Sequence, residues 1–117
     1  MAPKQNPLKL NALQLKTLTL AQELASMQDN GKKNEATGDV ALTWLPSPHG
    51  DHFHIGSAVV QGRDATGLHN QSVWVALVRK GLAVINSEGH VAITPAGLAY
   101  DTQLRDVILM RSDHQAH

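Results

Sequence analysis

Histidines are concentrated in one short stretch of this chain. His49, Asp51, His52 and His54 lie close together in the sequence. If the last two lie on a strand, their side chains point to the same face, because side chains alternate along a strand. Two imidazoles placed in this way can share a zinc or nickel ion.

The remaining ligands of such an ion are not fixed by the sequence. A third or fourth ligand would come from His49, Asp51 or His69. The alternative is that Phe53 and Ile55 take the buried face of the strand and leave the two histidines in water, where imidazoles titrate near neutral pH. A metal or pH sensor is therefore a minor hypothesis for the function.

Catalytic motifs are not found in the sequence. It has no cysteine, no Gly-rich phosphate loop, no His-Glu-x-x-His and no Gly-x-Ser-x-Gly. We therefore expect a protein that is not an enzyme and has no cofactor. The lack of cysteine excludes disulfides and thiolate zinc sites and fits a reducing compartment.

Length and composition predict one domain. The 117 residues are 42% hydrophobic and 17% charged, which is typical of a chain that buries its own core. We expect a flexible arm over residues 1–10 and a frayed tail over 112–117. No apolar run reaches the roughly 20 residues that span a bilayer, and the first residues do not resemble a signal peptide, so a cytoplasmic location is expected.

The charge balance is neutral. Ten lysines and arginines stand against ten aspartates and glutamates. The chain therefore has no net positive field to attract phosphate, and any basic surface must come from clustering in three dimensions.

The first half of the chain predicts one helix and a hairpin. Leucines at helical spacing indicate a helix over residues 11–28, with Asn11 and Gln14 placed as a capping box. A polar loop follows over 29–39. Residues 40–45, with Val40, Leu42 and Trp44 on one face, are expected to form a hairpin with the strand of Phe53 and Ile55.

The second half predicts helices around a further hairpin. A short helix from Ser57 to about residue 65 leads to a turn at Gly67, expected to have positive φ, and to a helix over 70–80 that ends at Gly81. Residues 83–86 and 90–94 form a hairpin. A final helix then begins after Thr94 and Pro95, and its apolar face is made of Leu98, Tyr100, Leu104, Val107 and Ile108.

The order of these pieces resembles the winged helix-turn-helix superfamily, of the MarR-like kind. The resemblance rests on Ala-Thr-Gly-Leu at residues 65–68, the helix end at 77–82 and Thr-Pro-Ala-Gly at 94–97. It implies an α+β fold with three to four helices, the small hairpin in the first half and a wing hairpin in the second. The helix at 70–80 is about one turn shorter than the recognition helix typical of the family.

The resemblance also implies which residues meet DNA. On a helical wheel, Val73, Trp74, Leu77 and Val78 share the inward arc of the helix at 70–80. The outward arc would face the major groove, where glutamine reads adenine, arginine reads guanine and a valine methyl contacts thymine. Phosphate would be contacted by other cationic side chains and the wing. The expected groove contacts are Gln71, Ser72, Val75 and Arg79, and the expected phosphate contacts are Arg63, Lys80 and His90.

The first hypothesis is a sequence-specific regulator that binds double-stranded DNA as a homodimer through its first and last helices. The alternative is a winged-helix module whose outward arc binds another protein, and the neutral charge and the short helix favour it. The metal or pH sensor is the minor alternative.

Overall fold

Helices and short strands alternate along the chain in a computed structural model that describes residues 6–47, 51–56 and 58–111. The first half consists of α1 (Ala12–Ala25), β1 (Gly31–Lys33), β2 (Val40–Leu42), β3 (His52–Ile55) and β4 (Ala58–Gln61). The second half consists of α2 (Gly62–Ala65), a 3-10 turn (Thr66–His69), α3 (Gln71–Arg79), β5 (Ala83–Ile85), β6 (Val91–Ile93), α4 (Pro95–Ala99), α5 (Arg105–Ile108) and β7 (Met110–Arg111).

Helix α1 begins with the predicted capping box. The Asn11 side chain accepts from the Gln14 backbone N–H at 2.8 Å, and the Gln14 side chain accepts from the Asn11 N–H at 3.0 Å. The helix ends at Ala25, three residues before the predicted end. Its apolar face lies in the centre of the core, where Leu18, Leu20 and Leu24 are fully buried.

The larger sheet is antiparallel and has the strand order β1-β2-β6-β5. The predicted hairpin of β5 and β6 is confirmed, and Gly89 has a φ of +85° in its turn. The prediction of a loop throughout 29–39 is wrong, because the backbone N–H groups of Asn30 and Gly31 both donate to Met27 O and turn the chain back along β2. Strand β1 is polar and largely exposed, so it lacks the apolar alternation that predicts a strand.

A second antiparallel sheet has the order β3-β4-β7. It overturns the predicted pairing of residues 40–45 with residues 53–55, because β2 pairs with β1 and β6 and β3 pairs with β4. The predicted helix from Ser57 to residue 65 is also largely wrong. Ser57 lies outside the described residues, residues 58–61 form a strand in which Ala58 and Val60 are buried, and only α2 is helical.

Trp44 departs from its predicted position. Strand β2 ends at Leu42, so Trp44 does not continue the face of that strand and is 37% exposed. The residues that follow β2 are instead held by Asn30. Its buried side chain accepts from the backbone N–H groups of Thr43 at 2.6 Å and Trp44 at 3.1 Å.

The final helix starts where predicted and then breaks. Thr94 Oγ1 accepts from the Gly97 N–H at 3.0 Å, and Pro95 occupies the first helical position. The prediction of one helix to Ile108 is wrong, because α4 ends at Ala99 and α5 starts only at Arg105. Between them, the carbonyls of Gly97 and Tyr100 accept from the Gln22 side chain on α1, which ties this segment to the core.

The part of the predicted arm from Asn6 onward makes hydrogen bonds with the rest of the chain. Asn6 Oδ1 accepts from the Leu10 N–H at 3.0 Å and from the Tyr100 hydroxyl at 2.6 Å. The same hydroxyl accepts from the Leu8 N–H at 3.1 Å. Residues 1–5 and 112–117, which include the predicted tail, lie outside the described residues.

The fold class is α+β, as predicted. The described part of the chain contains five α-helices, one or two more than expected. The predicted final helix is divided into α4 and α5, and α2 is a single short turn of helix. Within residues 6–47, 51–56 and 58–111, no helix combines the length and apolar character needed to cross a membrane.

Candidate functional site

Helix α3 forms where the sequence predicts it. Asn70 caps its start by accepting from the Ser72 N–H at 3.0 Å, and Gly81 follows its end with a φ of +79°. Glycine takes this left-handed backbone conformation at little cost, so the helix stops there. The helix packs against both α1 and β5, which fixes its position beside the hairpin of β5 and β6.

The inward face of α3 belongs to the core. Val73, Trp74 and Leu77 are buried, and the Trp74 indole N–H donates to Leu68 O at 2.9 Å. These contacts confirm that Trp74 is a core residue. Val78 was expected on the same arc but is 37% exposed, because it lies at the edge of that arc, next to the position of Gln71 on the helical wheel.

The outward face of α3 presents the four predicted side chains together. They are all exposed, and Val75 in their middle is 45% exposed. They line a shallow concavity of about 410 Å³ that also includes Ala76, a residue the sequence analysis did not single out although the wheel puts it next to Ser72. The lining residues are Gln71, Ser72, Val75, Ala76 and Arg79.

The 3-10 turn before α3 is held against α1. A β-carbon on Gly67 would overlap Thr17 Oγ1, so glycine is required there by close packing. The predicted positive φ at Gly67 is wrong, because the glycines with positive φ are Gly38, Gly56, Gly81 and Gly89. This close approach sets the distance between α1 and the start of α3.

Charge is distributed unevenly around α3. No aspartate or glutamate occurs from residue 65 to residue 87, whereas Arg79 and Lys80 lie at the helix end. Asp64, just before this stretch, is 2.8 Å from the Lys16 ammonium. The segment that contains α3 and β5 is therefore basic, although the whole chain is neutral.

The three predicted phosphate contacts lie away from the α3 concavity. The Lys80 ammonium donates to Leu8 O at 2.8 Å, on the side of the N-terminal segment. Arg63 lines a different concavity with Lys16, Asp64 and Val107. His90 lines a third one, between the β5–β6 hairpin and β1, and its Nδ1 is 3.7 Å from Glu88 Oε1. The structure thus brings together the four residues predicted to contact the groove and leaves Arg63, Lys80 and His90 apart from them.

The histidine stretch forms a separate feature on β3. Phe53 and Ile55 are buried and His52 and His54 share the opposite face, as the alternation predicts. Their Nε2 atoms are 3.2 Å apart, with ring centroids separated by 4.8 Å and ring planes at 80°. Asp51 Oδ1 lies 3.5 Å from His52 Nδ1.

The other predicted ligands do not join this pair in the described structure. His69 stacks on Phe53 on the opposite face of the strand, and its Nε2 lies 2.9 Å from Pro46 O. His49 lies outside the described residues. Among the residues described, no group of three or more His, Cys, Asp or Glu side chains is arranged to hold a metal ion.

The concavity that includes His90 was not foreseen. It occupies about 290 Å³ on the outer face of the larger sheet, and Ala41 and Ala92, which are register partners on β2 and β6, lie in its lining. Lys32, Asp39 and Glu88 surround them. Strand β1 supplies one side of this concavity. The predicted loop over 29–39 contains no strand, so the sequence does not predict the concavity.

Comparison with protein-family models, with curated proteins and with solved structures gave no match. The function must therefore be argued from the α3 surface and the histidine pair themselves.

Proposed function

We propose that this chain binds double-stranded DNA as a winged helix-turn-helix protein, with the exposed face of α3 in the major groove. The observation that carries the proposal is the convergence of Gln71, Ser72, Val75 and Arg79 on one exposed face. That face lies within the stretch of residues 65–87 that has no acidic side chain.

The element order supports the same proposal. α2, the 3-10 turn and α3 supply the two helices and the turn of the motif, and the hairpin of β5 and β6 follows α3 directly. Strand β2 pairs with β6 and completes a three-stranded unit beside α3. This is the arrangement in which a winged helix presents its second motif helix to DNA.

The dimensions of α3 are compatible with groove entry. Nine residues at 1.5 Å per residue give a length of about 13 Å, close to the major-groove width of about 12 Å. Gln71 at the start of the helix and Arg79 at its end can each make paired hydrogen bonds to purine edges. Each such pair is worth about 1–3 kcal/mol of discrimination between bases.

Phosphate contacts in this proposal are few. Arg63 and Lys80 are the nearest lysine or arginine neighbours of α3 in sequence on its two sides, and the wing turn carries Glu88 beside His90. Two or three phosphate contacts predict a drop in affinity of roughly ten- to fortyfold between 50 and 200 mM salt, since the slope is about 0.9 per contact. This is far weaker than the dependence of a strongly basic DNA-binding protein.

The test is fluorescence anisotropy of a labelled random-sequence duplex with the full chain at 50 and 200 mM salt. Arg79→Ala should weaken binding at least fivefold. Lys33→Ala is the matched control, because Lys33 lies on β1, at the opposite edge of the sheet from β5 and α3. Light scattering on the complex gives the number of chains bound, which decides whether one or two half-sites are read.

Two results would contradict DNA binding through α3. One is no binding of duplex at 50 mM salt by the folded chain, and the other is equal affinity of wild type and Arg79→Ala. Binding that does not depend on salt would contradict the phosphate contacts.

A second candidate function is protein binding through the same region, and the exposed apolar side chains favour it. Val75 and Val78 on α3 are 45% and 37% exposed, and Ile85 on the wing is 56% exposed. Apolar side chains of this kind are typical of the centre of a protein interface. A photo-crosslinker at Val75 that captures one discrete protein in cells, together with no duplex binding in vitro, would favour this candidate.

A further inference from the structure

The imidazoles of His52 and His54 meet at their Nε2 atoms, which are 3.2 Å apart on the outer face of β3. Two nitrogens bound to one tetrahedral zinc ion at 2.0–2.1 Å are separated by about 3.3–3.4 Å. We propose that His52 and His54 form a two-imidazole binding site for a divalent transition metal of the zinc class. The proposal does not depend on DNA binding, because neither histidine contributes to the α3 surface.

The backbone fixes the positions from which the two rings project. His52 and His54 pair in register with Gln61 and Val59 of β4, so their Cα atoms are fixed by the strand ladder. Burial of Phe53 and Ile55 on the other face prevents the strand from turning over. A site on a strand of this kind is more precisely positioned than a site on a loop.

Asp51 completes the arrangement around His52. Its Oδ1 lies 3.5 Å from His52 Nδ1, the ring nitrogen that does not face His54. Metal-binding histidines commonly direct their other ring nitrogen to a carboxylate, and Asp51, although fully exposed, lies at the outer limit of hydrogen-bond distance from that nitrogen. Asp51 is therefore a positioning residue in the proposal.

The donor set selects the kind of metal. Imidazole nitrogens favour Zn²⁺, Cu²⁺ and Ni²⁺, whereas Mg²⁺ and Ca²⁺ favour oxygen ligands. Two protein ligands leave two positions of a tetrahedral shell for water. We therefore expect reversible binding of one Zn²⁺ per chain and no competition by Mg²⁺.

The test is isothermal titration of the full chain with ZnCl₂, repeated in the presence of excess MgCl₂. His52→Ala and His54→Gln should each weaken Zn²⁺ binding at least tenfold. His90→Ala, which removes a histidine from the wing, and the double variant His114→Gln/His117→Gln should bind Zn²⁺ like the wild type. Circular dichroism of each variant shows that the fold is kept.

A second measurement identifies the ligand atoms without relying on affinity. Imidazole ¹⁵N spectra should show Zn²⁺-induced shifts at the Nε2 atoms of His52 and His54, and none at His90. The proposal is overturned if the chain binds no Zn²⁺ at 100 μM, if His52→Ala and His54→Gln bind as tightly as wild type, or if Mg²⁺ displaces the ion.

Discussion

The hydroxyl of Thr17 on α1 lies directly against Gly67 in the 3-10 turn, and no volume remains between them for a β-carbon. Leu13 Cδ1 is also only 3.4 Å from the position such a carbon would take. Leu68 extends from this turn into the core, and its carbonyl accepts from the Trp74 indole on α3, so the Thr17–Gly67 contact sets how α3 is presented.

Gly67→Ala should lower the free energy of unfolding by about 1–3 kcal/mol, as overpacking in a closed site does. Urea denaturation followed by tryptophan fluorescence measures the loss. The same substitution in a Thr17→Ala background should cost less, because the overlapping hydroxyl is gone. Additive effects of the two substitutions would show that the contact does not limit the packing of the turn.

Trp74→Phe should lower the free energy of unfolding by about 2–4 kcal/mol. The substitution removes the indole N–H that donates to Leu68 O and leaves that buried carbonyl without its partner. Trp44→Phe is the matched control, because Trp44 is 37% exposed and should change stability by less than about 1 kcal/mol. Each variant leaves a single tryptophan, so fluorescence reports on the two positions separately. Equal losses of unfolding free energy in the two variants would contradict the burial of Trp74.

Asn30→Ala should destabilise the chain by about 2–4 kcal/mol. Asn30 is 1% exposed, and its side chain accepts from Thr43 N and Trp44 N and donates to Trp44 O at 2.9 Å. Removing it takes the side-chain partner from the partly buried N–H and C=O of Trp44, whereas the Thr43 N–H keeps the Asn30 carbonyl at 3.3 Å. Thermal denaturation should show a much smaller loss of stability for Asn34→Ala, because Asn34 is exposed and accepts only within a local turn. Similar melting temperatures for the two variants would contradict the proposed role of Asn30 in holding the end of β2.

Val75→Glu tests the α3 surface by charge and leaves the core untouched. Val75 is exposed, so the stability change should stay within about 0.5 kcal/mol, while a carboxylate in the middle of the face should weaken duplex binding at least tenfold by repelling phosphate. Leu98→Glu introduces the same charge on α4, where Leu98 is 36% exposed and lies in a concavity with Lys33 that includes neither α3 nor Arg63, and it should bind duplex like wild type. Equal weakening in both variants would point to a net-charge effect and away from a specific surface.

Local signals in the sequence were sufficient for three helix boundaries: the starts of α1 and α4 and the end of α3. The capping box of Asn11 and Gln14, the stop at Gly81 and the start at Thr94 all act within one turn of the chain. The outward face of α3 was predictable for the same reason, since helical periodicity depends only on neighbouring residues.

The partners of strands and side chains were not predictable in this way. Strand β2 is followed in the sequence by the hairpin of β3 and β4, yet it pairs with β6. Strand pairing depends on which apolar surfaces the whole core must cover, and neighbouring residues do not determine it. Lys80 was predicted to contact phosphate, but a tertiary contact directs its ammonium to Leu8 O. The alternation of side chains on β3 was sufficient to predict that His52 and His54 share a face. The distance between their Nε2 atoms could be obtained only from the structure.

The position of β2 between β1 and β6 also has a consequence for synthesis of the chain on the ribosome. β1 and β2 are made within the first 42 residues, whereas β6 ends at Ile93. At about 5–20 residues per second, the nascent chain carries an unpaired β2 edge for roughly 3–10 s before its second neighbour has been translated. During that interval the edge is open to chaperones and to other nascent chains, so the larger sheet closes only after β6 has been made.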